Sequence, residues 1–408
     1  MFLQNCQFIC KKTCKNGRNH SFWKVVQNHF IFVQNKNQKD GLFTKKNKME
    51  PFDKRVNLHA TRRDIAVFVF RAMMHELKLP ANDTSLDMYF SDTEQIAVLV
   101  PPLFVRTKID DLLRPRNFSL LLFGKITSIT RWYTECFIIV SIYRGTDRSE
   151  PTAKRYELIG TIIEQAKTAI ELLSKQVYTT FDKESKNPNQ LNYPIRALEE
   201  AVMNAIIHRD YEIALPIRIT VFSDRIEINS PGSLYMGVDK EQFLKGIARP
   251  KWRNQSFAYL FNKLKLTQSE GQGIPTILNS MRHAGCPDPI FDIDSDSVTC
   301  ILPAHPRHEM IGAQQAIRDK MILGNYQAAI DQLNSLLNKD LYNYRTLDLY
   351  CEVVDKLRQP ALLFDLLTAK KIIFQQVNPN TLKQMSELLK KGTPEHRRLA
   401  RQILKMQR

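Results

Sequence analysis

The chain has 408 residues, 43% hydrophobic and 25% charged, which excludes a disordered chain and allows two to four domains. Lys and Arg outnumber Asp and Glu by 59 to 42, a net charge of +17 that favours an anionic partner: nucleic acid first, nucleotide second, membrane surface third. No apolar run reaches bilayer-spanning length, and the opening MFLQNCQFICKKTCK is too short and too polar for a secretory signal, so a cytoplasmic protein with no membrane partner is expected.

Residues 1–50 are basic, with Phe and Trp interspersed. They read either as a nucleic-acid-binding arm or as a poorly ordered leader. Cys6, Cys10 and Cys14, with His20 nearby, fit no common zinc spacing. The seven cysteines are odd in number and dispersed, which argues for reduced thiols.

From Pro51 the composition changes, and an α/β domain is expected over 51–180. Thr61 caps a helix through Asp64, Val67, Phe70 and Met74. Leu120 to Phe123 reads as a buried strand ending at Gly124. Phe137 to Tyr143 is a β-branched and aromatic strand, closed by a turn at Arg144–Asp147. Tyr156 to Tyr178 reads as a helix, with Ile162, Ala166, Ile170 and Leu173 on one face. A polar loop follows from Asp182 to Asn192.

The next expected domain, 193–304, carries the chemistry. Pro194 precedes ALEEAVMNAIIHRDY, Ala197 to Tyr211, whose apolar residues recur at helical spacing. Glu200, Asn204 and His208 fall at i, i+4 and i+8, so they stack along one line beside the apolar stripe. A carboxylate, an amide and an imidazole in a row can activate water, hold a hydrated Mg²⁺ and contact a phosphate. The solvated edge of an ordinary helix would look the same.

Ile217–Phe222 and Ile226–Asn229 form a hairpin about Asp224–Arg225, ending in the turn Ser230-Pro231-Gly232-Ser233. Residues 237–255 are polar and basic, through Arg249, Lys251 and Arg253, and read as a long loop. A helix is expected at Phe257–Leu266. Gly271-Gln272-Gly273 then opens another helix, Thr276 to Ala284, and two strands close the domain at Ile290–Ile293 and Val298–Leu302. Glycines let backbone approach a phosphate, and a helix N-terminus offers free N–H groups.

Residues 305–408 have a nearly continuous helical pattern. Gly324, Tyr326, Ala329, Leu333, Leu336 and Leu337 are placed as in a tetratricopeptide-type helix pair; a plain helical bundle accommodates the same pattern. The last segment is basic through Lys390, Lys391, Arg397, Arg398, Arg401 and Lys405.

Residues Tyr193 to Pro303 resemble the ATP-binding domain of the gyrase, Hsp90, histidine-kinase and MutL superfamily (GHKL), in the version found in RecG-like transcriptional regulators. ALEEAVMNAIIHRDY resembles its N-box, DRIEINSPGSLY its first glycine box, GQGIPTI its second and ARPKWRN its lid. LLFGK and YRGTDRSE, upstream, are similar to the connecting domain of those proteins. The resemblance implies an α+β architecture: a GHKL (Bergerat) α/β sandwich with a mixed sheet and helical layer, an α/β connecting domain before it and a helical-repeat segment after it. ATP and Mg²⁺ are the implied cofactors. Glu200 would be the general base and Asn204 the Mg²⁺ ligand, with His208 and Arg209 near the phosphates or the lid. Gly232 would approach the adenine, Gly271 and Gly273 would cradle the β- and γ-phosphates, and Arg249, Lys251 or Arg253 would reach in from the lid.

Two departures stand out. Where the superfamily has an adenine-binding Asp, this chain has Ser230, with Asn229 next to it as the alternative acceptor. The AlbA/Schlafen-type domain that usually begins such regulators is not seen, so contact with DNA rests on the basic termini. There is also no G-x-x-x-x-G-K-[ST] loop and hence no helicase motor. Two functions follow: an ATP-binding regulator with slow hydrolysis coupled to DNA or protein binding, or a non-catalytic scaffold whose C-terminal helices bind a protein partner.

Overall fold

A computed structural model describes residues 50–91, 102–149, 151–179, 190–266 and 272–406. The basic leader up to residue 49, the polar loop over 182–189 and Gly271 lie outside the described residues.

The architecture is mixed α+β. Strands β1 (Phe104–Arg106) and β2 (Leu113–Pro115) pair as a small hairpin. Strands β3 (Ile138–Ile142), β4 (Lys154–Leu158), β5 (Ile217–Val221), β6 (Arg225–Pro231), β7 (Ile290–Ile293) and β8 (Ser297–Pro303) form one mixed sheet, in the order β4-β3-β5-β6-β8-β7. Among the described strands only β3 and β5 run parallel, with Val140 opposite Ile219; the other pairs are antiparallel.

Helices α1 (Val67–Glu76), α2 (Asp83–Tyr89), α3 (Asn117–Phe123) and α4 (Ile126–Trp132) precede β3. Helix α5 (Ile162–Ser174) follows β4, and α6 (Ile195–His208) follows α5. Helices α7 (Lys240–Leu244), α8 (Gln255–Lys263) and α9 (Gly273–His283) lie between β6 and β7. Helix α6 packs on α5, α8, α9 and β6. That explains why its buried set extends beyond the stripe of Leu198, Val202 and Ile206 to Met203 and Ile207. A helix buried on several sides loses the simple two-faced pattern. Burying such an aliphatic side chain contributes about 1.5–3 kcal/mol.

Four local expectations are corrected. Leu120–Phe123 belongs to helix α3, whose residues are all buried. An all-apolar run has no polar face to reveal its period. Residues 154–158 are strand β4, and the helix after them starts only at Ile162, where Thr161 and Glu164 form a capping box. Thr61 caps a 3₁₀ turn over Arg62–Asp64, and α1 begins separately at Val67. The basic stretch 237–255 contains helix α7, capped by Asp239 through the Gln242 N–H at 2.8 Å.

After β8 the chain is helical: α10 (His308–Ile322), α11 (Tyr326–Lys339), α12 (Tyr344–Leu357), α13 (Pro360–Ala369), α14 (Pro379–Lys390) and α15 (Pro394–Met406). Leu333, Leu347, Val353, Leu363, Met385 and Leu389 belong to their own hydrophobic core. Gly324 makes the turn into α11 with φ of 77°, a conformation glycine adopts freely. Among the described residues no helix is long and apolar enough to cross a membrane.

Candidate functional site

Glu200, Asn204 and His208 all line one cleft of about 1000 Å³. Ile228, Ser230 and Gly232 line it from the end of β6, Val298 and Cys300 from β8, and Gly273 from the start of α9. Arg249, Pro250 and Lys251 reach it from the segment after α7. The α6 line and both glycine elements therefore face a common space, large enough for a nucleotide-sized ligand.

Gly273 has a specific steric duty. A Cβ there would stand 2.6 Å from Glu200 Oε1 and 2.9 Å from Asn204 Nδ2. The absence of a side chain lets the N-terminus of α9 press against the two polar groups of α6. Glu200 is buried, at 6% exposure. The Nδ2 of Asn204 is buried with no hydrogen-bond partner among the described residues. An orphaned buried N–H donor is costly unless an acceptor on a ligand or a water meets it.

The end of β6 sorts its side chains by strand alternation. Asn229 donates through Nδ2 to Thr299 Oγ1 at 2.9 Å, and neither residue lines the cleft. Ser230 does line it, and its hydroxyl donates to the Ala205 carbonyl of α6 at 2.8 Å. With its one proton spent there, Ser230 Oγ can only accept from a ligand. Gly232 follows with φ of 104°, and a Cβ there would stand 2.6 Å from Asp210 Cβ. This position needs glycine on two counts.

Two of the expected cations, Arg209 and Arg253, lie away from the α6 line. Arg209 is 2% exposed and outside the cleft; its Nη2 donates to the Glu135 and Leu215 carbonyls, both at 2.7 Å. Arg253 also turns aside. Its Nη1 meets Asp210 Oδ2 at 2.6 Å and its Nη2 donates to the Ser233 carbonyl at 2.9 Å, strapping down the turn after β6. His208 remains on the cleft wall. Burial pushes its imidazole down to about 4, and the Arg253 guanidinium adds to the effect, so the ring is neutral at pH 7. Burial pushes the Cys300 thiol up to about 12, so the cleft floor carries no thiolate.

Charge on the walls is one-sided. Among the described lining residues, Lys54, Arg116, Arg249, Lys251 and Lys263 are cations, and Glu200 is the one carboxylate. Such a cleft attracts anions. Three supports escaped sequence reasoning. Asn254 is fully buried, and its Nδ2 donates to the Ile207 and Arg209 carbonyls, both at 2.8 Å, tying off the C-terminus of α6. Asp53, also fully buried, accepts from the Ser256 N–H of α8 at 2.7 Å. Lys54 lines the cleft from outside the stretch that resembles an ATP-binding domain. Nothing short-range marks contacts that join residues 45 and 203 positions apart.

Residues 215–302 match the family model described as "Putative ATP-dependent DNA helicase recG C-terminal", an ATPase-like domain. No curated protein matches the chain. Among solved structures, the chain is similar to the DIP2311 protein from Corynebacterium diphtheriae, at 19% identity and a TM-score of 0.44. That likeness covers 62% of this chain and 47% of the other, so the chain spans about half the length of that protein. The matched segment of the family model holds β5, β6, both cleft-lining strand ends and α9; α6 lies just ahead of it.

Proposed function

We propose that the protein binds ATP with Mg²⁺ in this cleft and hydrolyses it slowly, with nucleotide state coupled to DNA or protein binding. The observation that carries the reading is the meeting of Gly273 with Glu200 and Asn204, where α9 presents its N-terminus beside an orphaned amide and a buried carboxylate. These residues fit a metal-bound triphosphate. The helix N-terminus suits phosphate oxygens. Asn204 supplies an amide oxygen for a hard cation, and Gly271 would complete the cradle. Bound Mg²⁺ would supply charge neutralisation on the phosphates.

Glu200 is the group suited to take a proton from the attacking water, as a buried carboxylate one helical turn from Asn204. Neutral His208 adds no charge to the wall. Arg249 and Lys251 are the lid cations that reach the cleft; Arg253 holds the turn that shapes it. Ser230 offers an acceptor for an adenine amino group. In this reading the sheet and its helices form a GHKL-type sandwich. The exposed Arg397, Arg398 and Arg401 of α15 give DNA or another polyanion a contact surface.

Calorimetric titration with ATP·Mg²⁺ tests the reading. Binding in the micromolar range or somewhat weaker is expected, lost in Asn204→Ala and kept without turnover in Glu200→Ala. Absence of any adenine-nucleotide binding by the wild type rejects it. The second reading, a non-catalytic scaffold with a relict nucleotide fold and a helical-repeat binding surface, is favoured by Ser230 standing where a carboxylate is expected. It predicts a protein partner held by α10–α15 with no effect of ATP.

A further inference from the structure

We propose that Lys54 is a phosphate-reading residue of the nucleotide site, supplied by the segment ahead of the ATPase-like region; this rests on the nucleotide reading above. Lys54 lines the same cleft as Glu200, Asn204 and Gly273, although it is far from them in sequence. Its side chain is half-buried. Its ammonium donates to the Gln255 Oε1 amide oxygen at 2.9 Å, and among the described residues it has no carboxylate partner. An ammonium on the cleft wall whose hydrogen bond is to a neutral amide, in a solvent-exposed contact, is open to an anion.

The backbone around it is fixed. Arg116 donates to the Lys54 carbonyl, and Asn117 Nδ2 donates to the Phe52 carbonyl at 2.9 Å. Phe52 stacks on Tyr211, with ring centroids 5.4 Å apart. Asp53 accepts from Ser256 N–H, so the residue before Lys54 is bound to the first turn of α8. Lys54 is thus a preorganised cation, and its amide partner Gln255 is the first residue of α8. A nucleotide phosphate competes with a neutral amide for that ammonium and offers a stronger, charge-assisted bond. Occupancy of the cleft would then be felt at Gln255, inside the matched segment 215–302, and at residues 51–57, outside it.

The test compares ATP·Mg²⁺, ADP·Mg²⁺ and adenosine by calorimetry on the full chain, in wild type, Lys54→Ala and Gln255→Leu. In Lys54→Ala, ATP is expected to weaken about tenfold or more while adenosine is unchanged. Gln255→Leu keeps the ammonium and removes its amide partner, and is expected to keep or raise the ratio of ATP to adenosine affinity. An unchanged ratio in Lys54→Ala overturns the assignment alone. No binding of any of the three by the wild type overturns the nucleotide reading and this assignment with it. Pyrophosphate binding to the ATP-saturated wild type, lost in Lys54→Ala, overturns the nucleotide assignment in favour of a separate phosphate site. Melting temperatures of the variants identify a fold defect, which lowers adenosine binding equally and counts against the proposal.

Discussion

Gly273 and Glu200 approach so closely that a methyl group on the glycine would stand 2.6 Å from the carboxylate Oε1. Real side chains do not tolerate that distance, so either α9 or the carboxylate must move. Gly273→Ala is therefore expected to cost about 1–3 kcal/mol of stability, as overpacking does. It should also abolish the thermal shift that the proposed ATP·Mg²⁺ binding gives the wild type. A variant that melts lower and still responds fully to ATP would show that the contact shapes the fold and not the ligand site.

With its proton committed to the Ala205 carbonyl, Ser230 could meet a ligand only as an acceptor. The wild type should accordingly prefer adenosine, which presents an amino donor, over inosine, which presents a carbonyl. Ser230→Ala should lose that preference and about 1 kcal/mol of stability. Competition binding of the two nucleosides reads the first effect and chemical denaturation the second. Equal binding of both nucleosides by the wild type removes Ser230 from base recognition.

His208 has a folded value near 4 against an ordinary 6.5. As the pH falls, the unfolded chain therefore takes up this proton first, and folding becomes less favourable. The stability associated with the neutral ring is fully present above pH 6.5 and is lost between 6.5 and about 4. His208→Asn should flatten this part of the pH profile. Urea melts at pH 7 and pH 5 give the comparison, and parallel profiles for the two proteins would assign the acid sensitivity elsewhere.

The ion pair between Arg253 and Asp210, at 2.6 Å and about one-fifth exposed on each side, holds the turn that Gly232 makes possible. Removing one partner leaves the other partly buried and unmatched. Arg253→Ala and Asp210→Ala should each destabilise, and the double variant should cost less than their sum, with a coupling of about 0.5–3 kcal/mol. Strict additivity would mean that the pair contributes nothing beyond two independent side chains.

Asn254 serves two carbonyls at the end of α6 with one amide. Asn254→Ala should cost about 1–3 kcal/mol, since it leaves buried acceptors without their donor. Hydrogen exchange should rise in the last turn of α6 before the rest of the helix. Uniform exchange along α6 would argue against a local tie.

Much of the site was legible because its parts are local patterns. Glu200, Asn204 and His208 are spaced by a helical turn, and the two glycine elements sit at the ends of a strand and at the head of a helix. The structure brings all of these to one cleft except Gly271, which lies outside the described residues. Arg209 and Asn229 were drawn in by adjacency in sequence, yet burial against carbonyls takes one away and strand alternation the other. Lys54, Asp53 and Asn254 were invisible because their roles depend on long-range packing. Helix α3 was misread for a different reason: Leu120, Leu121, Leu122 and Phe123 are buried on every side, so nothing in their order distinguishes a helix from a strand.

The parallel pairing of β3 with β5 also sets where the polypeptide can be cut. A fragment beginning at Tyr193 would keep every residue of the α6 line and lose the strand that covers the Ile217–Val221 edge. Uncovered, that edge offers unpaired backbone groups and buried aliphatic side chains to a neighbouring molecule, an invitation to association and precipitation. Recombinant work on the cleft is thus expected to require a start ahead of Ile138 for the sheet and ahead of Lys54 for the complete lining.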